Sequence, residues 1–223
     1  MVQSHSLPPK PARMLPGFDH INRYWDRRHH LYVAKILPGE FYVTRANEKI
    51  ATTLGSCVSA CIWDEKMGIG GMNHFMLPDL NFTTNLDACL ATKYGVHAMN
   101  MLIDQLVHLG ARRNKLMAKA FGGGKVLPGF VQQDIGRVNA EFVLEYLDDA
   151  NIPLISSDLM STYARKIYYF PADGNVYMKR IREFNNATLY ERESTHRVLL
   201  SEQAKTGVIS FSEQSHAYKS PRS

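Results

Sequence analysis

Residues 52–78, TTLGSCVSACIWDEKMGIGGMNHFMLP, decide the fold. VSACIWD alternates in apolar character, DEKM supplies a polar turn, and GIGGMNHFML returns as a second strand, so the stretch reads as a β-hairpin. With DEKM as the loop, Trp63 pairs with Gly68 and Cys57 falls directly opposite His74. A two-residue loop at Glu65 and Lys66 gives the same register. Directly opposed residues of an antiparallel pair have α-carbons about 4.5–5.5 Å apart and project to the same face. The register therefore predicts a thiol beside an imidazole, whereas a slip of one residue would send the imidazole to the opposite face.

A strand cysteine taken alone reads as a small buried hydrophobe. A histidine on the facing arm changes that reading. An unassisted thiol has a pKa near 8.5, a neighbouring imidazolium lowers it by several units (roughly), and only the thiolate attacks well. Cys57 is thus the candidate nucleophile and His74 its base. Gly55 and Ser56 give the chain a permissive turn and leave room beside Cys57. Backbone N–H groups from Ser56 to Val58 are candidate oxyanion donors, and Gly55, Ser56 and Val58 form the expected substrate-positioning set.

Metal chemistry is not expected, because Cys57-x-x-x-Cys61 is not a zinc-knuckle spacing, and Cys61 reads as core. FGGGK lacks the spacing of a P-loop, so Gly122 to Gly124 read as a tight strand-to-helix connection near the site. No organic cofactor is called for.

Working outward from the hairpin, EFYVTRA and KIATTL read as strands on either side of a polar turn at Asn47 and Glu48. Residues 86–109 carry apolar positions at Leu90, Tyr94, Met99, Leu102, Ile103 and Leu106 before Gly110, the pattern of a long helix with a glycine just past its end. KLMAKAF reads as a strand. DIGRVNAEFVLEYL repeats Ile135, Val138, Phe142 and Tyr146 at helical spacing. IPLIS, RKIYYFP and VYMKRIR complete the sheet, the last two joined by a turn at Asp173 and Gly174.

The ends read differently. The first 17 residues hold four prolines, and in FDHINRYWDRRHH the spacing of Phe18, Ile21, Tyr24 and Trp25 predicts a short helix that docks on the parent domain. Beyond residue 185 the chain is polar and serine-rich, which predicts a loosely held tail. The expected organisation is an N-terminal arm at 1–38, a catalytic domain at 39–185 and a polar tail at 186–223.

At 223 residues and 45% hydrophobic content, the chain is long enough for one sizeable core. No apolar run approaches the roughly 20 residues that cross a bilayer, and the start lacks a signal peptide's apolar segment, so neither membrane insertion nor export is expected and a cytoplasmic location is. Three cysteines without an export signal argue for free thiols. The net charge of +5 is spread along the chain rather than gathered into blocks, which argues against nucleic acid as a partner.

LGSCV at residues 54–58 followed by H-x-M-L-P at 74–78, with seventeen residues from cysteine to histidine, resembles the signature of the chemoreceptor glutamine deamidases called CheD. FGGGK, IGRVN and Arg165 extend the resemblance over roughly residues 40–182. The resemblance implies an α/β single-domain sandwich with helices on a mixed, largely antiparallel sheet, and an active-site layout shared with glutamine-deamidating toxins and, distantly, papain-like enzymes. It implies deamidation of glutamines on methyl-accepting chemotaxis receptors, through a thioester on Cys57, and contact with a CheC-type phosphatase. It also implies a threonine before the cysteine that orients the histidine. Position 51 is alanine, so Thr52 takes that assignment. Leu159 and Met160 depart from the glycines that family members often carry there. Two other functions fit the same residues: a regulatory binding module in chemotaxis signalling, and a cysteine hydrolase acting on receptor methyl esters or small amides.

Overall fold

Strand β5 (Val58–Asp64) is buried at every residue, which requires cover on both faces, and the fold is organised around supplying it. In the computed structural model, residues 8–78, 85–126, 134–181 and 187–206 are described. The remaining elements are β1 (Asn22–Asp26), β2 (Leu31–Lys35), β3 (Phe41–Thr44), β4 (Glu48–Leu54), β6 (Ile69–Asn73), α1 (Asn85–His108), β7 (Met117–Gly122), α2 (Ile135–Asp149), β8 (Leu154–Leu159), β9 (Ala164–Phe170), β10 (Asn175–Ile181) and α3 (Ala187–Thr206).

Two five-stranded sheets result, ordered β1-β2-β4-β9-β10 and β3-β6-β5-β7-β8. Each is mixed and largely antiparallel, with one parallel pair, β2 with β4 and β7 with β8. Helices α1 and α2 pack on the second sheet and on each other. On the inner side Tyr169 of β9 reaches across to donate its hydroxyl to the Ile62 carbonyl of β5 at 3.0 Å. The fold is an α/β sandwich of the expected class.

β3 and β4 are strands as read, but they diverge into different sheets. This divergence brings Thr52 of β4 in one sheet against His74, just beyond β6 of the other. The hairpin of β5 and β6 forms, with a shifted register. Asp64 pairs with Ile69 and Trp63 with Gly70, so the loop is Glu65 to Gly68 rather than DEKM. Asp64 caps a single 3-10 turn by accepting from Met67 N–H. Gly68 closes it at φ 60°, a left-handed conformation suited to glycine. Cys57 is consequently not opposite His74: Val58 bridges Phe75, and the histidine is a diagonal neighbour. The shift moves each partner by two residues and so preserves the face.

The short helix expected over residues 18–30 is not formed. Those residues supply β1 and the turn into β2, since Asp26 accepts from Arg28 N–H and His29 N–H and His30 takes φ 51°. Phe18 and Ile21 are nevertheless buried, as a docked segment requires. The hairpin is tied to β4 by Arg23 on Glu48 at 2.7 Å and Lys49 on Asp26 at 2.6 Å. The expectation of a loose polar tail also fails over residues 187–206, where α3 forms and sends Glu193, His196 and Leu200 inward.

Candidate active site

The site is built by three segments that converge on the loop Gly55-Ser56-Cys57 between β4 and β5. Each carbonyl of that loop is held from behind. Gly124 N–H donates to Gly55 O at 2.7 Å, Asn139 Nδ2 to Ser56 O at 3.0 Å, and Gly123 N–H to Cys57 O at 2.8 Å. A side chain at Gly122 would place its Cβ 2.1 Å from Cys57 O, so the glycine run makes this approach possible. Arg165, fully buried on β9, braces the run from the far side by donating to Gly122 O at 2.7 Å and to the carbonyls of Asp158 and Met160.

With the carbonyls fixed on one side, the loop's N–H groups share the other side. Gly55 N–H lies 2.8 Å and Ser56 N–H 3.0 Å from the carboxylate of Glu193 on α3, Cys57 N–H lies 3.5 Å from it, and Ser56 Oγ donates to it at 2.8 Å. Convergent backbone donors of this kind make an anion cradle. Of the segment Ser56 to Val58, the N–H groups of Ser56 and Cys57 face this carboxylate, together with that of Gly55. Val58 does not: its N–H is spent on Phe75 O at 2.9 Å, where β5 begins to pair.

His74 is oriented by a two-step hydrogen-bond chain. Thr52 Oγ1 lies 2.7 Å from His74 Nδ1 and 2.8 Å from the Ile36 carbonyl. A carbonyl only accepts, so the Thr52 hydroxyl proton goes to Ile36 and its lone pair receives Nδ1–H. This assigns the neutral tautomer with a bare Nε2, the nitrogen that has no hydrogen-bond partner among the described residues. Burial, and secondarily His196, pull the imidazole down to about 3. Burial, reinforced by the Glu193 carboxylate, pushes the Cys57 thiol well above its ordinary range. The pair rests as neutral thiol and neutral imidazole, not as the thiolate and imidazolium expected of a Cys–His pair. Cys57 is 0% and His74 1% exposed, so a substrate has no access to either in this arrangement.

Cys57 Sγ, a His74 ring nitrogen and a Glu193 carboxylate oxygen all lie within 4.8 Å of one another. That donor set has the chemistry to hold Zn²⁺. The carboxylate, however, is already committed to the loop's N–H groups, which accounts for its position without an ion. Cys61, also expected in the core, is fully buried on β5.

Two residues that contact the cysteine loop escaped the sequence reading. Asn139 of α2 donates to Ser56 O and accepts Leu77 N–H at 2.8 Å, so one amide joins the LGSCV and H-x-M-L-P segments. Its position within IGRVN was the available signal. Glu193 had none, since its neighbours in sequence are polar.

A cysteine, a histidine held by a hydroxyl, and an N–H cradle on an α/β sandwich define the class of thiol-dependent acyl-transfer hydrolases. A family profile described as CheD chemotactic sensory transduction matches residues 76–180. The chain is 49% identical to "Probable chemoreceptor glutamine deamidase CheD" of Halorhodospira halophila, over 87% of this chain and 91% of that one. It is 48% identical to "Probable chemoreceptor glutamine deamidase CheD 1" of Shewanella oneidensis, over 84% and 91%. The chain belongs to the CheD family. Among solved structures, Bacillus licheniformis hypothetical protein YfiH aligns at a TM-score of 0.32 and 13% identity over 55% of this chain and 51% of that one.

Proposed function

We propose that this chain is a protein-glutamine glutaminase that converts glutamine side chains of chemoreceptors to glutamate, with Cys57 as nucleophile, His74 as acid and base, and Thr52 as the residue that positions His74. The observation that carries the reading is the Thr52–His74–Cys57 arrangement beside the N–H cradle, in a chain whose relatives bear the deamidase name.

As a carboxamide enters, His74 Nε2 takes the Cys57 proton and sulfur bonds to the carboxamide carbon. The developing oxyanion is received by N–H groups of Gly55, Ser56 and Cys57. The imidazolium returns its proton to nitrogen, the C–N bond breaks, and ammonia leaves a thioester. His74 then deprotonates water, whose oxygen bonds to the thioester carbon; the C–S bond breaks, the imidazolium returns its proton to sulfur, and glutamate and free thiol remain. The neutral resting pair suits this order, because a bare Nε2 is ready to accept a proton only when it is not already charged.

No described helix is long and apolar enough to cross a membrane. Action on the cytoplasmic part of a receptor places the chain in the cytoplasm, and a CheC-type phosphatase is the further partner this reading carries. The test is mass analysis of a receptor cytoplasmic fragment incubated with the protein. Conversion of specific glutamines supports the reading. Hydrolysis of receptor methyl esters or small amides, with the glutamines untouched, would replace it.

A further inference from the structure

Glu193 is a charged side chain, 7% exposed, placed against the nucleophile of a site that has no need of a resident carboxylate to attack an amide. Its two oxygens take every N–H the Gly55-Ser56-Cys57 loop presents, together with the Ser56 hydroxyl. The helix that carries it touches the core along one stripe. Leu200, seven residues on, is 3% exposed, and the His196 ring lies against Gly39, where a Cβ would come within 2.8 Å of Cε1. Gly39 N–H in turn donates to the His74 carbonyl at 2.8 Å. Both members of the Cys57–His74 pair are therefore covered by α3. The outer residues Val198 and Leu199 are half exposed, so a narrow contact holds the helix in place.

The chemistry of the covering group is informative. Deamidation of glutamine leaves a carboxylate on a two-methylene side chain, and glutamate is that side chain. We propose that α3 is an intramolecular occupant of the substrate site, seating Glu193 as a mimic of the reaction product, so that the enzyme is latent until α3 is displaced. This rests on the deamidase reading for the term product, but the occlusion itself rests only on the contacts above. A receptor helix that presents a glutamine must compete with α3 for the loop's N–H groups. Displacement also removes the negative charge and the cover that keep Cys57 protonated, so opening the site and activating the nucleophile are one event.

The occlusion is read without any receptor, by the rate at which iodoacetamide alkylates Cys57 in the full-length chain at neutral pH, followed on the Cys57 peptide so that Cys61 and Cys89 do not contribute. Glu193→Ala removes the occupant. Leu200→Asp loosens α3 while leaving the loop contacts chemically intact, and circular dichroism reports whether each variant is folded. Alkylation faster by about tenfold or more in the folded variants is expected, with a matching rise in kcat/KM for receptor glutamine conversion. Alkylation as slow as in the parent chain would overturn the proposal. So would loss of deamidation in Glu193→Ala while the parent chain is active, since Glu193 would then serve the chemistry. Faster alkylation with no chain converting receptor glutamines leaves the latch standing and removes the receptor reading.

Discussion

The hydroxyl of Thr52 lies 2.7 Å from Nδ1 of His74 and donates its hydrogen bond to the Ile36 carbonyl, so a strand of one sheet fixes the tautomer of a histidine at the end of a strand of the other. Thr52→Val keeps the shape and removes the bond. It is expected to lower kcat for deamidation by about ten- to a hundredfold, within the range assigned to acid–base groups, with a smaller effect on KM. Thr52→Ser should restore most of the rate. The loss of a partner for the buried Ile36 carbonyl should also cost about 1–2 kcal/mol, read as a lower melting temperature.

Asn139 makes a separate prediction. Asn139→Ala leaves both Ser56 O and Leu77 N–H without their partner, and each loss inside a core costs about 1–3 kcal/mol. Thermal unfolding should register the drop, and deamidation should fall with it because the cysteine loop loses the tie that holds one of its carbonyls. A variant with full stability and full activity would show that the glycine run suffices.

The acid side of the stability curve follows from two buried histidines. Burial pulls His74 down to about 3, with His196 contributing, and pulls His196 down to about 4, while an unfolded histidine titrates near 6.5. Below that value the unfolded chain binds more protons than the folded one. Their stabilisation is therefore complete above about pH 6.5 and is lost as pH falls through the folded values. His196→Gln should flatten the loss between about pH 6.5 and 4, by on the order of 3 kcal/mol, when melting temperatures are compared with the parent chain across that range.

Met160 and Ser161 adopt φ of 62° and 77°, left-handed conformations that favour glycine. The resemblance implies glycines at positions 159 and 160; Met160 takes the left-handed backbone that glycine favours and keeps it without the residue. Ser161→Gly is expected to raise stability by about 1 kcal/mol, measured by denaturant unfolding, with no change in Cys57 reactivity.

The catalytic segment was legible in sequence because hairpin alternation and the Cys–His spacing constrain the same residues. Its register shifts by two residues because the loop begins one residue later than DEKM. Asp64 and Gly68 are the cap and stop of a 3-10 turn, and reading them as such would have moved the loop to Glu65 to Gly68. Phe18, Ile21, Tyr24 and Trp25 satisfy a helical period, yet Asp26 and the Arg–Arg–His–His run that follows make the turn of a hairpin, and ion pairs to Glu48 and Lys49 of β4 in the same sheet decide the matter. α3 was illegible because the stripe it buries carries Glu193 and His196 as well as Leu200. A helix held by carboxylate and imidazole leaves little apolar periodicity to find.

The central claim is tested most directly by mass spectrometry of a purified receptor cytoplasmic fragment incubated with the parent chain, Cys57→Ala, His74→Ala and Glu193→Ala. The account predicts a gain of about one mass unit at particular glutamines with the parent chain, a larger yield with Glu193→Ala, and none with Cys57→Ala or His74→Ala. Equal conversion by Cys57→Ala, or no conversion by the parent chain and Glu193→Ala alike, would contradict it.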